Sequence, residues 1–225
     1  MVAPLAVDID GTLSRPDRSI DSRVMDVLRE WDAPVVIATG KALPYPVALC
    51  DFVGIEERVI AENGGVAYVN DDLFYFGDGR SAAVEVREEF AEAGYDLGWG
   101  DSDLVNRWRE TELAVSRERP LDLLRELAEE YGLSVVDTGF AYHVKATDPN
   151  KGTALQTVAA ELDYDPDEFA AIGDSVNDVE MFGVAGESYA VANADEDARE
   201  AADVVLDESN ADGFLAAVER IRDGD

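Results

Sequence analysis

The sequence predicts an α/β protein: a doubly wound, mainly parallel sheet interrupted by a smaller α+β unit. Three observations predict it. Short apolar runs, at residues 2–7, 34–38, 59–61 and 169–172, alternate with segments of helical periodicity, as strands buried on both faces do. From residue 81 to residue 147 the order becomes α-β-β-α-β-β, which suits an antiparallel sheet with helices on one face. Polar clusters follow the apolar runs directly, at the carboxyl ends of strands, where open α/β sheets bind ligands. The core is therefore assigned to residues 1–80 and 148–225, and the insert to residues 81–147.

In chain order, the first run ends in Asp8-Ile9-Asp10-Gly11-Thr12. Ile20, Val24, Val27, Leu28 and Trp31 mark an amphipathic helix, with Asp21 or Ser19 as its cap. The strand 34–38 runs into Thr39-Gly40-Lys41, and a helix over 43–52 tolerates Pro44 and Pro46 in its first turn. The strand 59–61 precedes Glu62-Asn63-Gly64-Gly65 and a hairpin over 66–76. In the insert, a helix over 81–94, strands near 104–109 and 112–116, a helix from Pro120 to Tyr131, and strands 133–136 and 141–145 are expected. The α/β alternation then resumes. A helix opens at Lys151, the strand 169–172 ends in Gly173-Asp174-Ser175-Val176-Asn177-Asp178, and strands 189–192 and 204–206 alternate with helices 195–202 and 210–222.

Composition narrows the function. The 225 residues are 47% hydrophobic, ample for a core. Fifty acidic against 18 basic side chains give a formal charge of −32, which disfavours nucleic acid and anionic membranes as partners. The acid is spread along helices rather than gathered in a tail, and it resembles the proteins of salt-in halophilic archaea. Only Lys41, Lys145 and Lys151 represent lysine. No apolar run reaches membrane-spanning length, no signal-peptide pattern opens the chain, and the single Cys50 sits in an apolar segment. A cytoplasmic protein is expected, compatible with a monomer or a homodimer.

Asp8 and Asp10 repel each other unless a counter-charge is near, and a divalent cation with oxygen ligands is the simplest partner. An aspartate so placed also suits nucleophilic attack on phosphorus. Each cluster alone equally fits turn or cap chemistry. Their joint order argues against coincidence.

The four clusters resemble those of phosphatases of the haloacid dehalogenase superfamily: Asp8-Ile9-Asp10-Gly11-Thr12, then Thr39, then Lys151, then Gly173-Asp174-x-x-x-Asp178. Glu62 to Gly65 and the insert between the second and third motifs resemble the branch with an α/β cap. The short cap and the acidity are most similar to archaeal phosphoglycolate phosphatases. The resemblance implies a Rossmann-like core with an inserted α+β cap and Mg²⁺-dependent hydrolysis of a small phosphate ester. It implies Asp8 as nucleophile and Asp10 as acid and base. Asp8, the Asp10 carbonyl and Asp174 would hold Mg²⁺, with Asp178 assisting directly or through water. Thr39, Gly40 and Lys151 would hold the phosphoryl group, with Asn63 and Asn177 as orienters. Lys41, Lys145 and Arg109 are candidates for a substrate carboxylate, and His143 reads as a packed cap residue. A sugar-phosphate phosphatase or phosphomutase is the same-fold alternative. A phospho-acceptor signalling module and a non-catalytic cation-binding protein are more distant ones.

Overall fold

The computed structural model describes residues 2–77 and 79–224. Met1 and Asp225, the limits assigned to the core, and Asp78, beside the first crossing into the insert, lie outside the described residues. The elements in order are β1 (Leu5–Val7), α1 (Ser22–Arg29), β2 (Val35–Ala38), α2 (Pro44–Val53), β3 (Val59–Ala61), β4 (Val66–Val69) and β5 (Asp72–Tyr75). Then come α3 (Gly79–Glu92), β6 (Glu112–Ser116), α4 (Leu121–Glu130), β7 (Leu133–Asp137) and β8 (Ala141–Ala146). The chain finishes with α5 (Lys151–Glu161), β9 (Ala170–Gly173), α6 (Val179–Phe182), β10 (Glu187–Ala190), α7 (Glu196–Ala201), β11 (Val204–Val205) and α8 (Asn210–Asp223).

Among the described residues, one sheet of eight strands runs β11-β10-β9-β1-β2-β3-β4-β5. It is parallel from β11 to β3, with β4 and β5 added antiparallel at one edge. Alternation along each strand divides the core into two layers. Leu5, Val7, Val35 and Ile37 meet α1, α2 and α8 through Val24, Leu28, Cys50, Val53 and Phe214. Ala6, Val36 and Ala38 point the other way, onto Ala154, Leu155 and Val158 of α5 and Met181 of α6. Burying a large apolar side chain contributes about 1.5–3 kcal/mol, so these two layers dominate the stability. Asp21 caps α1, accepting from Arg23 N–H at 2.9 Å.

A second sheet, ordered β6-β8-β7 and antiparallel, carries its own apolar cluster. That cluster includes Phe90, Leu113, Val115, Leu124, Tyr142 and Val144, packed with α3 and α4 on one face. The alternate residues Glu112, His143 and Lys145 are also buried, on the opposite face.

Two local expectations need correction. Residues 104–109 form turns, not a strand. The Asn106 amide does what a neighbouring strand would do: its Nδ2 donates to Ala114 O at 2.9 Å and its Oδ1 accepts from Ala114 N–H at 2.7 Å. Asp103 fixes that loop by accepting from Asn106 N–H at 3.1 Å. The insert's sheet therefore has three strands instead of four. The strand expected at 189–192 is β10 at Glu187–Ala190, because its register pairs Glu187 with Ala170.

Candidate active site

The carboxyl ends of β1, β2 and β9 and the first residue of α5 converge. Asp8 follows β1 and is tied to β9 by its N–H to Ile172 O at 3.0 Å. Gly11 turns the chain at φ 83°, and a Cβ there would run into Asp174 Oδ2, so the backbone's close approach requires glycine. Asn193 stitches this corner, donating to Gly11 O at 3.0 Å and to Asp174 Oδ2 at 3.3 Å. Thr39 follows β2, fully buried, and its hydroxyl accepts from Lys41 N–H at 3.2 Å. Lys151 opens α5, whose cap Asn150 accepts from Thr153 N–H at 2.8 Å. An ammonium at a helix N-terminus opposes the helix dipole, so carboxylates must hold it there. They do: Lys151 Nζ lies 2.7 Å from Asp8 Oδ1 and 2.6 Å from Asp178 Oδ1, with Asn177 Oδ1 at 3.4 Å.

Asp8, Asp174 and Asp178 each bring a carboxylate oxygen within 4.8 Å of the others. Burial first, then the Asp178 and Asp10 charges, push Asp8 up to about 7 despite Lys151. Burial and the Asp8 and Asp178 charges push Asp174 up to about 9. Burial works against the Lys151 ammonium, but Asp178 and Asp8 outweigh it and hold its pKa above the ordinary lysine value. One cation thus faces three carboxylates. The deficit and the all-oxygen donor set fit a hard divalent cation such as Mg²⁺. Asp178 is already committed, with Oδ1 on Lys151 and Oδ2 accepting from the N–H groups of Asp174 at 3.0 Å and Ser175 at 3.1 Å. Asp8 and Asp174 are freer to coordinate.

Asp10 points elsewhere. Its Oδ2 forms an ion pair with Lys41, and both side chains are partly exposed. A cavity of about 70 Å³ opens above Asp8 and Asp10, walled by Gly40, Lys41 and Asn177 from the core and by Arg109, Phe140 and His143 from the insert. The insert is tethered over it. Glu62 of the core accepts from Glu110 N–H at 2.9 Å and from Thr111 N–H and Oγ1 at 2.8 Å. Arg109 donates to Gly40 O at 2.9 Å and pairs with Glu112. Asn63 bridges the two parts: Nδ2 donates to Glu112 Oε2 at 2.8 Å, and Oδ1 accepts from Asn177 Nδ2 at 2.7 Å.

The structure thus brings together Asp8, Asp10, Thr39, Gly40, Lys41, Asn63, Lys151, Asp174, Asn177 and Asp178. Lys145 is turned away, its ammonium donating to the carbonyls of Ala146 and Pro149 near the return to the core. Arg109 reaches the cavity wall with its charge met by Glu112. Sequence reasoning singled out neither Glu112, one of fifty acidic residues, nor Asn193. Glu62 had a signal in the Glu-Asn-Gly-Gly run, where Glu62 and Asn63 take φ 53° and 54°.

A family model described as haloacid dehalogenase-like hydrolase matches residues 5–83 and 110–218, spanning all four clusters. The chain belongs to this family. It is a haloacid dehalogenase-like hydrolase whose sequence is 68% identical to the phosphoglycolate phosphatase of Halobacterium salinarum, over 97% of each chain. It is 60% identical to the phosphoglycolate phosphatase of Natronomonas pharaonis over 99% of each. The crystal structure of Thermoplasma acidophilum 0175 superposes with a TM-score of 0.84 at 27% identity, over 99% of each chain. Among the described residues, no helix is long and apolar enough to cross a membrane.

Proposed function

We propose that this hydrolase cleaves 2-phosphoglycolate to glycolate and phosphate through an aspartyl-phosphate on Asp8. The observation that carries the reaction class is the Asp8 carboxylate held on Oδ1 by Lys151 beside Asp174, which leaves its second oxygen for phosphorus. The name carried by the 68% and 60% identical relatives supports the substrate.

Asp8 attacks phosphorus. The Lys151 ammonium, the Thr39 hydroxyl and the Gly40 N–H hold the phosphoryl oxygens and stabilise the charge spread over them in transit. Asp10, oriented by Lys41, gives a proton to the departing glycolate oxygen and then takes one from the water that hydrolyses the acyl phosphate. Asp8, the Asp10 carbonyl and Asp174 would hold Mg²⁺, which supplies charge neutralisation between the nucleophile and the phosphate. Asp178 works one step back, fixing Lys151 and the 174–175 backbone. Asn177 and Asn63 orient Lys151 and the insert. In this reading residues 81–147 form a cap that selects the substrate, and the enzyme works in the cytoplasm, in keeping with its one buried thiol.

Phosphate release from a panel of small esters, with Mg²⁺ in molar KCl, tests the proposal. Turnover of 2-phosphoglycolate should lead the panel and stop on chelation. A sugar phosphate that outruns it replaces the substrate assignment, and no release from any ester ends the hydrolytic reading.

A further inference from the structure

A substrate with an anion at each end needs a cation at each end of the cavity. Under the floor Lys151 stands behind Asp8, its Nζ 2.7 Å from Oδ1. Three basic side chains reach the wall: Lys41 from the core, and Arg109 and His143 from the insert. Lys41 is paired with Asp10. Arg109 is paired with Glu112, and its Nε and one terminal nitrogen are held by the carbonyls of Val105 and Gly40 at 3.1 and 2.9 Å. His143 differs. Its Nδ1 lies 2.8 Å from Glu112 Oε1 and 3.1 Å from Asn63 Nδ2, and with its proton on Nδ1 the ring donates to the carboxylate. The opposite ring edge carries Nε2, which has no hydrogen-bond partner among the described residues, although the side chain is only 2% exposed.

We propose that His143 is the specificity-determining residue that binds the substrate's carboxylate, donating from Nε2, with Glu112 as the positioning residue behind it. The inference rests on the phosphoglycolate reading and adds the group that recognises the non-phosphate end. Glu112 fixes the tautomer by accepting the Nδ1 proton, as a carboxylate behind a histidine does. Donation from Nε2 as well means that the ring binds its ligand as the imidazolium. Asn63 Nδ2 reaches Glu112 Oε2 at 2.8 Å and His143 Nδ1 at 3.1 Å, so the pair is held from the core as well as from the insert. The location also explains a polar, nearly buried residue at mid-strand: on β8 the neighbours Tyr142 and Val144 face the apolar cluster, and His143 faces the cavity.

The test compares 2-phosphoglycolate with ethyl phosphate, which lacks the carboxylate, in the full-length enzyme and in His143→Gln. Charged hydrogen bonds of this kind predict that kcat/KM for 2-phosphoglycolate falls roughly 10- to 100-fold, with a smaller fall for ethyl phosphate, so that the ratio between the esters collapses. Equal losses on both esters, or an unchanged ratio, overturn the assignment. A wild-type enzyme with no preference between the esters overturns the phosphoglycolate reading as well, which separates the two failures. A second measurement needs no variant. His143 is the one histidine of the chain, so its imidazole proton resonances need no assignment. Adding glycolate to the wild-type protein in KCl should move them and adding ethanol should not. Resonances that glycolate leaves in place overturn the proposal.

Discussion

Asp8 and Asp178 are paired with the buried ammonium of Lys151, with Asp174 beside them, whereas Glu112 on β6 is shared by Arg109 and His143. Both groups are removed from water, and burial pushes Asp8, Asp174 and Glu112 towards the neutral form. In the core group burial and mutual repulsion win, and Asp8 and Asp174 rise to about 7 and about 9. In the insert, the two cations and the Asn63 amide outweigh burial, and Glu112 falls to about 2. The difference lies in what each group still needs. The core cluster is short of positive charge and is completed by a cation, whereas Glu112, with its own charge met, holds Arg109 and His143 in place.

Breaking the core cluster should have the larger effect on activity. Asp8→Asn should abolish turnover, because an amide is no nucleophile, while the melting temperature holds or rises as a crowded carboxylate is lost. Measurable phosphatase activity in the purified variant would contradict that role. Asp10→Asn should slow turnover by roughly 10²–10⁴, the usual worth of general acid–base catalysis. Its Mg²⁺ affinity, read by calorimetry, should fall far less than that of Asp174→Ala, and equal falls would merge the two roles. Breaking the Glu112 cluster should act on stability as well as on the choice of ester. Glu112→Gln strands Arg109 and His143 and should cost about 3–5 kcal/mol in chemical denaturation, and a cost below about 1 kcal/mol would show that the cluster is not balanced through Glu112.

The two clusters also titrate with opposite sign. Glu112 is depressed from 4.5 to about 2, so its contribution is present above pH 4.5 and is lost as pH falls through about 2. Asp174 is raised from 3.8 to about 9, so without divalent cation the native state favours the proton, and stability drains as pH rises from about 4 towards 9. Asp174→Asn in KCl and chelator should therefore gain on the wild type as pH rises, and parallel melting curves would refute the strained core. The smallest expected effect is the increment in melting temperature from Mg²⁺, which should saturate and vanish in Asp174→Ala. The climb with KCl should survive that variant, because about 3 Å of screening length at 1 M relieves surface repulsion everywhere.

The core site was legible because its groups follow apolar runs at fixed places: Asp8 after β1, Thr39 after β2, Lys151 at the head of α5, Asp174 after β9. The sequence carried less about how the insert meets the core. Glu62 to Thr111 and Asn63 to Glu112 are contacts between residues far apart in the chain, with no periodicity to announce them. Lys41 and Lys145 were singled out for their scarcity, and scarcity says nothing of direction: one turns to Asp10, the other to two carbonyls near the hinge. Leu104, Val105 and Trp108 read as a strand because apolar spacing cannot register an Asn106 side chain that replaces backbone pairing.

The pairing of β1 with β9 has a consequence for synthesis. Leu5 finds its neighbour Ala170 only after the 164 residues between them have been made. The sheet β6-β8-β7 joins segments close in sequence, so it can close while the β9 edge of β1 still stands open. Through that interval the nascent chain carries an unpaired apolar edge, and its dense negative charge keeps other chains at a distance until β9 closes against β1 and Asp174 arrives beside Asp8.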